Sequence, residues 1–567
     1  MERNVNQLTE KEYDVLVVGG GIYGATVAWD AALRGLSVAL IEKNDFAHAT
    51  SSNSLKTVHG GLRYLQDADI SLVRMMIYER MTLMRIAPHL VHPLGCIMPT
   101  YNKLMKAKPV MAIALAINNL MCLDRGLPDP QKRLPKGHVV SKEECLKILP
   151  GLRDEKITGG AIWHDAQMYN SERLCLSFIL SAVQKGAVAA NYVEAVEFLG
   201  NLKRVTGVKA RDLLTGDSFK IRAKLVINAA GPWVNKVMGY LEGNRSSKPV
   251  QLSVAMNMVT RQFISDCAAG IPTKPTEPGK KSQLLFVAPW REYSIVGTKH
   301  VHFEGPPEEY CVSEEEIQDF LHEINGAYPD ARLKREDVYF VHWGFLPAED
   351  NSINPDAVKL IREGEVRDHR QLDDVEGLIS VVGVKYTSAR YVAKQAVDLA
   401  GEMLHKPVKP SNTHQIPLFG GQIAHFDAYL NQEIAQQSAN LPQEIVRRLI
   451  LNYGSEYSNL LRYFDDTPHL KEPLPGSSGV LKAEVVHGVR KEMAQKLSDI
   501  IFRRTELGSA RWPGEACLQS CAEIMALELD WDRAKIKQEI DEVRAIFNKK
   551  NPGYISEIHY SGVEYVS

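Results

Sequence analysis

The sequence lacks any long run of charge of one sign. Its 567 residues include 67 lysines and arginines and 69 aspartates and glutamates, which gives a formal net charge of -2. Neither sign gathers in a tail. Nucleic-acid-binding proteins carry a basic patch or stripe, so we predict no nucleic-acid partner. A chain of this length exceeds what one hydrophobic core usually organises, and two or more domains are expected.

Long apolar runs are also missing. No stretch reaches the roughly 18 apolar residues that a membrane span needs. The nearest is KLMKAKPVMAIALAINNLMCL at 103–123, where Lys103, Lys106 and Lys108 precede an apolar segment that two asparagines interrupt. A basic lead followed by an apolar helix can lie in a bilayer interface. A buried core helix that begins with lysines is the other interpretation, so peripheral contact with the cytoplasmic face of a membrane stays open.

Cysteine is scarce and scattered, with 8 residues in the whole chain, and residues 1–14 contain no apolar segment typical of a signal peptide. Both observations favour a reducing, cytoplasmic location. Cys517 and Cys521 are spaced to share a helical face. Two ligands without nearby partners make a poor zinc site, so buried thiols are the better interpretation and no metal is predicted.

The N-terminal pattern is one βαβ unit: strand YDVLVVGG, helix YGATVAWDAALRGL and strand SVALIEK. Gly19, Gly21 and Gly24 form G-x-G-x-x-G between strand and helix, with glycines for the tight turn, the approach of a pyrophosphate and helix packing. Glu42 ends the second strand, where an acid can accept hydrogen bonds from the adenosine ribose. The pattern predicts an adenine dinucleotide with a free 2′-hydroxyl.

Two later segments favour FAD over NAD. KLVINAAGPWVNKV, which contains Gly231, and GLISVVGVKYTSARYVAKQAVDLA each read as an apolar strand that ends in glycine and turns into a helix. Such returning segments suit a long flavin buried between domains, although ordinary buried strands would read the same way. No second G-x-G-x-x-G is present for an NAD(P)H-reducing domain. Electrons are therefore expected to enter from the substrate and leave to a quinone, another acceptor or oxygen.

The rest of the chain divides into two kinds of pattern. Residues 189–345 read as short alternating strands, which we expect to be antiparallel. From about residue 425 the pattern is helical, after the proline- and glycine-marked passage KPVKPSNTHQIPLFGGQ. We predict a domain boundary near residue 410.

Several motifs together carry a resemblance to a known family. DFAHATSSNSLKTVHGGLRYLQ, RIAPHLVHP, VINAAGPWV, GVKYTSAR and VRKEMAQKLSDIIFRRTELG resemble the FAD-dependent, quinone-linked glycerol-3-phosphate dehydrogenases, within the larger group of D-amino-acid-oxidase-like flavoproteins. The match covers about residues 12 to 545. HGGLRYL and the helical C-terminal part are specific to this branch, whereas the glycine triplet is shared by many flavoproteins.

The resemblance implies an α/β + α fold: a Rossmann-like FAD-binding domain, an interleaved antiparallel β substrate domain and a C-terminal helical domain. The implied boundaries are 1–410 for the FAD-dependent oxidoreductase domain, with FAD-binding parts at about 12–95, 170–240 and 340–400 and substrate-domain parts at about 96–169 and 241–339, and 411–567 for the C-terminal α-helical domain.

The resemblance also implies a set of site residues. The residues expected near the flavin are Thr50, Ser51, Ser52, His59, Gly60, Gly61 and Gly231. Arg63 and Tyr64 are expected to reach towards the substrate, and Lys385 and Thr387 to lie at the polar edge of the flavin. A cation at that edge stabilises the negative charge that develops on the reduced ring. The other interpretation of Lys385 is a solvated lysine at the start of a helix.

The substrate motifs depart from the family pattern. Where the family has an arginine for the substrate phosphate, this chain has Leu346. Where the family has a histidine, this chain has Asn257. Where the family has Gly-Thr-Thr-Asp, this chain has GTKH, which supplies Lys299 and His300. Loss of a bidentate guanidinium weakens phosphate binding unless another cation compensates. Two explanations of these departures stay open. Lys299 with His300, Arg63 or His342 could form a new anion site, or the substrate could be larger and less charged.

The expected chemistry is hydride transfer from a secondary alcohol to FAD while a base takes the hydroxyl proton. The candidate bases are His59, His300 and His342, because imidazole titrates near neutral pH. Arg63 would hold the developing alkoxide or an anionic substituent. His48 lies in the same loop, where covalent attachment of the flavin and ordinary solvation are both open.

Three function classes remain open on the sequence. The first is a dehydrogenase of glycerol-3-phosphate, a related polyol phosphate or another hydroxy compound. The second is a flavin amine or amino-acid oxidase, and the third is a non-catalytic flavin-binding interaction protein. A homo-oligomer is also left open.

Overall fold

The fold is described from a computed structural model. The structure describes residues 1–102, 106–123, 127–152, 155–241, 248–273, 283–349 and 360–554. Lys103, one of the three lysines in the predicted basic lead, lies outside the described residues.

The strands are β1 (Tyr13–Val18), β2 (Val38–Ile41), β3 (Thr57–Val58), β4 (Val91–Tyr101), β5 (His138–Val140), β6 (Ile157–Met168), β7 (Val188–Ala190), β8 (Val193–Asn201), β9 (Arg204–Asp212), β10 (Ser218–Asn228), β11 (Gln251–Arg261), β12 (Ala268–Pro272), β13 (Leu284–Trp290), β14 (Tyr293–His302), β15 (Val338–Ala348), β16 (Glu365–Asp368) and β17 (Leu378–Val382).

The α-helices are α1 (Ile22–Leu33), α2 (Ile70–Ile86), α3 (Lys108–Met121), α4 (Lys142–Ile148), α5 (Ser171–Gln184), α6 (Val234–Met238), α7 (Glu314–Ala327), α8 (His369–Leu372), α9 (Ala389–Met403), α10 (Phe426–Gln437), α11 (Gln443–Tyr453), α12 (Ser458–Leu461), α13 (Tyr463–Asp466), α14 (Lys482–Glu492), α15 (Leu497–Asp499), α16 (Glu515–Leu529) and α17 (Arg533–Lys550). Within the described ranges, none of these helices combines the length and apolar character needed to cross a bilayer.

The first sheet is the expected Rossmann-like sheet, in the order β16-β17-β10-β1-β2-β7. β1 pairs in parallel with β2 and with the end of β10, and β10 pairs in parallel with β17. All six residues of β1 are buried. Val15 and Val17 pack in a core with α1, α5 and α9, and the residues of the other face pack in a second core with β8 and β9. The apolar run that opens the sequence is therefore the centre of this sheet.

The second sheet is the expected substrate-domain sheet, in the order β15-β11-β14-β13-β12-β4-β6-β3, with β5 beside β6. Its pairs are antiparallel except for β12 with β4, which is parallel. On one face of the long strands, Met258 and Val296 pack with α7. On the other face, Ile295 and Phe340 pack with the C-terminal helices.

Two sequence expectations about the strands need correction. β7 and the end of β10 pair in parallel within the first sheet, so the strand-rich middle is not antiparallel from residue 189 onward. β3, β4 and β15 belong to the second sheet, whereas the expected boundaries put β3, residues 91–95 and residues 340–348 in FAD-binding parts. Short strands at the edge of a domain can pair with either sheet, and their sequence does not distinguish the two.

The C-terminal helices pack directly on the second sheet. One continuous core joins Trp290, Ile295 and Phe340 of the sheet to Phe502 and Phe547 of the C-terminal part. A separate apolar cluster lies among α10, α11 and α14. The fold class predicted from the sequence is thus confirmed, and the helical part shares its core with the substrate domain.

Candidate active site

The glycine-rich turn between β1 and α1 is built on backbone contacts that exclude side chains. Gly19 has a φ of +114°, and a Cβ there would lie 2.4 Å from the carbonyl oxygen of Ala229. A Cβ on Gly24 would lie 1.9 Å from the carbonyl oxygen of Gly19. α1 begins at Ile22, and its N-cap, Gly21, supplies no side-chain cap. This end of the helix can therefore face a pyrophosphate, as a dinucleotide site requires.

Glu42 lies one residue beyond β2 and faces the glycine turn. Its carboxylate accepts the amide N–H groups of Gly20, at 2.7 Å, and Asn44, at 2.8 Å. Burial raises the pKa of Glu42, and these two hydrogen bonds oppose the rise. The start of β8 lies next to Glu42, because the amide of Val193 donates to the carbonyl oxygen of Glu42. The remaining lone pairs suit ribose hydroxyls, as predicted.

Residues 50–58 connect the two sheets. Thr50 Oγ1 accepts the amide N–H of Phe345 on β15 at 3.0 Å. Ser51 Oγ accepts the amide N–H of Ile22 at 2.9 Å, so this loop contacts the first turn of α1. Ser52 bonds locally to residue 49, and the loop ends in β3, which pairs with β6. The predicted flavin segment therefore runs between the phosphate end of α1 and the second sheet.

His59 sits beside a buried carboxylate that sequence reasoning missed. His59 Nδ1 lies 3.5 Å from Asp165 Oδ2, and its side chain is 45% exposed. The amide of Gly60 and Arg80 Nη1 each donate to Asp165 Oδ1 at 2.6 Å, and Trp163 Nε1 donates to Oδ2 at 3.0 Å. Burial alone would raise the pKa of Asp165, but these partners hold it well below its ordinary value. The carboxylate is thus ionised and orients the imidazole.

Four of the predicted site residues, Arg63, Tyr64, His300 and Lys385, have contacts or charge effects that relate them in pairs. Gly61 adopts a φ of +79° and starts the short helix that carries Arg63 and Tyr64. Burial and the positive charge of Arg63 lower the pKa of His300 to about 4. Lys385 Nζ lies 4.8 Å from the centroid of the Tyr64 ring. Arg63 therefore lies near His300, and Lys385 lies near Tyr64.

His300 and Leu346 share the sheet face that looks towards the flavin loop. His300 pairs with Ala255 across β11 and β14, and Ala255 pairs with Gly344 on β15. A Cβ on Gly344 would lie 2.9 Å from a Thr50 side-chain carbon, so this face contacts the loop. Leu346 stands two residues further along β15 and therefore on the same face. Leu346 occupies this face at the position where the resemblance implies a phosphate-binding arginine.

The structure separates Lys299 from His300, which corrects the expected pairing of the two. Lys299 Nζ lies 3.9 Å from Glu323 Oε2 and 5.7 Å from the ring centroid of Phe320, both on α7. Adjacent residues of a strand point to opposite faces, so Lys299 faces α7 while His300 faces the flavin loop. Lys299 therefore adds no cation to the predicted anion site.

Asn257 and His342 lie beneath the flavin loop rather than at an open site. Asn257 is 2% exposed and accepts a hydrogen bond from Thr298 Oγ1 at 2.9 Å. His342 is 2% exposed, and its Nδ1 lies 3.3 Å from Asn53 Oδ1. Burial, with the nearby charges of Lys56 and others, holds the pKa of His342 well below its ordinary value. The substrate role of Asn257 and the candidacy of His342 as base stay predictions, and both side chains are buried in this geometry.

The two returning segments flank α1, as predicted. A Cβ on Gly231, after β10, would have no neighbour within 4 Å, and its φ is +55°. After β17, Tyr23 Oη of α1 accepts the amide of Lys385 at 3.1 Å, and a Cβ on Gly383 would lie 2.3 Å from the Tyr23 ring. Thr387 is buried just beyond. Open space beside Gly231 and a fixed turn before Lys385 suit a ligand along this edge.

The remaining sequence candidates lie apart from this arrangement. His48 is exposed on its loop, and the geometry does not test covalent attachment of a flavin there. All eight cysteines are free, and Cys517 and Cys521 are buried. Across the described part of the chain, no group of three or more histidine, cysteine or acidic side chains could hold a metal ion.

Comparison with known families agrees with this architecture. Residues 14–399 match the family described as FAD dependent oxidoreductase, and residues 411–536 match the C-terminal domain of alpha-glycerophosphate oxidase.

Individual relatives are similar over nearly the whole chain. A glycerol-3-phosphate dehydrogenase of Synechocystis sp. is 32% identical over 516 residues, which cover 89% of this chain and 90% of that protein. The mitochondrial glycerol-3-phosphate dehydrogenase of Bos taurus is 31% identical over 94% of this chain and 73% of its own length. The crystal structure of a glycerol-3-phosphate dehydrogenase from Bacillus halodurans, complexed with FAD, superposes with a TM-score of 0.76 at 26% identity and covers 96% of both chains.

Proposed function

The chain belongs to the glycerol-3-phosphate dehydrogenase family of FAD-dependent oxidoreductases, and from this premise we propose that it oxidises the secondary alcohol of glycerol-3-phosphate or of a related polyol phosphate. Electrons would leave to a quinone or another acceptor. The observation that carries the proposal is that Arg63 lies near His300 and Lys385 near Tyr64, next to the predicted flavin loop.

The residues present fit FAD. The first turn of α1 would face the pyrophosphate, Glu42 would accept the ribose hydroxyls, and residues 50–61 would line the flavin. Space for the cofactor exists beside Gly231, where an added Cβ meets nothing. When bound, FAD supplies the acceptor for the hydride that leaves the carbinol carbon. Lys385 provides positive charge at the edge of this site.

His59 is the proposed base that takes the hydroxyl proton. Asp165 fixes the orientation of its ring from one side, at 3.5 Å, and 45% of the side chain remains exposed to meet a substrate. A base held by an ionised carboxylate is the arrangement that general-base catalysis uses. His300 lacks such a partner, since its Nδ1 is buried without a hydrogen-bond acceptor or donor among the described residues. We therefore assign His300, with Arg63, to binding the substrate.

The anion site of the proposed reaction rests on Arg63 and Lys385. Leu346 replaces the family arginine, and Lys299 pairs with Glu323 on the opposite face of the sheet. Loss of one guanidinium lowers the affinity for a phosphate dianion. We therefore propose a weaker glycerol-3-phosphate site than the family pattern implies, or a polyol phosphate that makes further contacts of its own.

Anaerobic reduction of the bound flavin tests this proposal. The visible absorption of the holoenzyme is followed while glycerol-3-phosphate, other sugar phosphates, hydroxy acids and amines are added in turn. Bleaching by glycerol-3-phosphate or another polyol phosphate supports the proposal. Bleaching by amines alone, with peroxide released in air, would replace it by an oxidase of that class. Bleaching by dithionite but by no compound of the panel would indicate a non-catalytic flavin protein.

A membrane surface is the proposed source of the acceptor. α3 exposes Ile113, Ile117 and Leu120 by 63%, 40% and 68%. Their spacing of four and three residues places them on one face of the helix, and Lys106 and Lys108 precede it. We propose that this face contacts anionic lipid on the cytoplasmic side of a membrane.

Vesicle sedimentation tests the membrane contact. The wild type should sediment with vesicles of phosphatidylglycerol and phosphatidylcholine, and Ile113→Asp with Leu120→Asp should release it. Leu527→Asp is the matched control, because Leu527 is 86% exposed on α16 and is equally apolar. Equal sedimentation of the α3 variant and the wild type, or equal loss in the control, would contradict the assignment of this face.

A further inference from the structure

The last residue of α17 reaches the flavin loop from the C-terminal domain. Lys550 Nζ donates to Asn53 Oδ1 at 2.9 Å. The same ammonium lies 4.0 Å from the ring centroid of Trp343 on β15, within the range of a cation–π contact. Lys550 therefore bridges the end of one domain and the segment that lines the cofactor site in the other.

The position of Lys550 is fixed by its neighbours in the chain. Asn551, which follows it, is fully buried and donates from Nδ2 to the carbonyl oxygen of Val338 at 2.9 Å. One turn before, the ring of Phe547 packs at 5.3 Å from that of Phe340. The end of α17 is thus attached to β15 at two points, and the lysine is presented to the loop without freedom to move away.

Lys550 points inward although the described residues offer it no carboxylate. Burial lowers its pKa to about 7, Cys311 raises it slightly and the charge of Lys56 lowers it. His48 and His342 also face it. A lysine at the end of a helix ordinarily extends its ammonium into water. Its inward orientation therefore costs free energy that the contact with Asn53 and Trp343 must offset.

The contact acts on the part of the loop that reaches α1. Asn53 Nδ2 donates to the carbonyl oxygen of Ala49 at 2.7 Å, and the Asn53 amide donates to Thr50 at 3.1 Å, which closes the turn 49–53. Within that turn, Ser51 Oγ accepts the amide of Ile22 in the first turn of α1. A constraint on the Asn53 side chain is thereby passed to the phosphate end of the dinucleotide site.

We propose that Lys550 is a positioning residue that holds the flavin loop 49–53 from the C-terminal domain, so that retention of FAD depends on the last turn of α17. Its ammonium contacts Asn53 and Trp343. It acts through Asn53, and it gives the C-terminal helices a direct part in cofactor binding. The proposal rests on the FAD dependence of the family and not on the identity of the substrate.

The test is the rate at which the holoenzyme releases FAD after dilution, followed by the fluorescence of free flavin and by the visible circular dichroism of the bound flavin. Lys550→Met removes the donor and should accelerate release about tenfold, as loss of a hydrogen bond from a charged group implies. Lys550→Arg keeps a donor and a cation over Trp343 and should restore release to near the wild-type rate. Lys549→Met is the matched control, because Lys549 is exposed on the same helix turn.

A double variant separates positioning from general loss of stability. Asn53→Ala should accelerate release, and adding Lys550→Met to it should have no further effect, since the hydrogen bond between Lys550 and Asn53 is already lost. If Lys550→Met does not fold, Lys550→Leu takes its place. Three results would each overturn the proposal. Lys550→Met could release FAD at the wild-type rate, Lys550→Arg could release FAD as fast as Lys550→Met, or the effects of the two changes in the double variant could be additive. No substrate is used, so failure of glycerol-3-phosphate to reduce the flavin leaves this result unaffected.

Discussion

Leu346 stands where the resemblance implies a phosphate-binding arginine. It lies on the sheet face that also carries His300. Leu346→Arg should therefore lower the KM for glycerol-3-phosphate by about tenfold, because a guanidinium–phosphate pair contributes roughly 1.5–3 kcal/mol. Steady-state kinetics of the FAD-loaded variant measure this.

The control for Leu346 is Leu346→Gln, which has similar length and no charge. It should leave the KM for glycerol-3-phosphate close to the wild-type value. An unchanged or higher KM in a folded Leu346→Arg variant would show that the phosphate does not bind at this face of the sheet.

The pKa of His300 gives a prediction about pH. Burial and then the charge of Arg63 lower it from 6.5 to about 4, so the imidazole of the free enzyme is neutral at pH 6 and above. Arg63→Gln removes the second cause, so the pKa should rise, but burial should keep it below 6.5. Titration of labelled histidine by NMR, with His300→Asn to assign the signal, measures the shift. A pKa that stays unchanged or falls would mean that Arg63 does not lie near His300.

At the residue scale, sequence reasoning located those groups that belong to contiguous motifs. Gly19, Gly21, Gly24 and Glu42 follow from local spacing, because the turn that requires them is local. Asp165 was missed, since it is brought to His59 by pairing of strands far apart in sequence. Lys550 was missed for the same reason, as it lies almost 500 residues from the loop it contacts.

Among the elements, β14 shows why Lys299 and His300, which are neighbours in sequence, do not form one site. The strand alternation puts Lys299 on the α7 face and His300 on the flavin-loop face. Lys299→Ala should leave the KM for the substrate found by flavin bleaching unchanged, and it should lower the free energy of unfolding by less than about 1 kcal/mol, as for a partly exposed ion pair.

His300→Ala is the matched change on the other face of β14. It should raise that KM several-fold and leave the free energy of unfolding nearly unchanged. Kinetics and urea unfolding of the two variants measure the contrast. A rise in KM for Lys299→Ala, with none for His300→Ala, would reverse the assignment of the two faces.

The elements themselves were predictable to different degrees. The βαβ unit and the C-terminal helices have strong periodicity, and the structure confirms both. The expected boundary at residues 339 and 340 divides β15, because the alternating pattern of a strand does not indicate which sheet the strand joins. The register that brings Leu346 and His300 to one face is a property of the assembled sheet and of no single strand.

At the scale of the whole molecule, buried charges connect the C-terminal helices to the nucleotide-binding domain. Asp45, three residues after Glu42, is fully buried and accepts hydrogen bonds from Arg503 Nε at 2.5 Å and from Arg504 Nη1 and Nη2 at 2.7 Å. The charges of both arginines outweigh the effect of burial and keep the pKa of Asp45 well below its ordinary value. This ion cluster and the shared apolar core make the two parts one cooperative unit.

Thermal unfolding of the holoenzyme should accordingly show a single transition, the same by calorimetry and by tryptophan fluorescence. Asp45→Asn leaves two buried guanidinium groups without their full counter-charge, so it should lower the free energy of unfolding by about 3–5 kcal/mol. It should also lower the affinity for FAD, because the loop after Glu42 loses the contacts that hold it. Asp217→Asn, at an exposed turn, should change neither quantity. Two separate transitions in the wild type, or an unchanged midpoint for Asp45→Asn, would show that the C-terminal helices fold independently of the flavin domain.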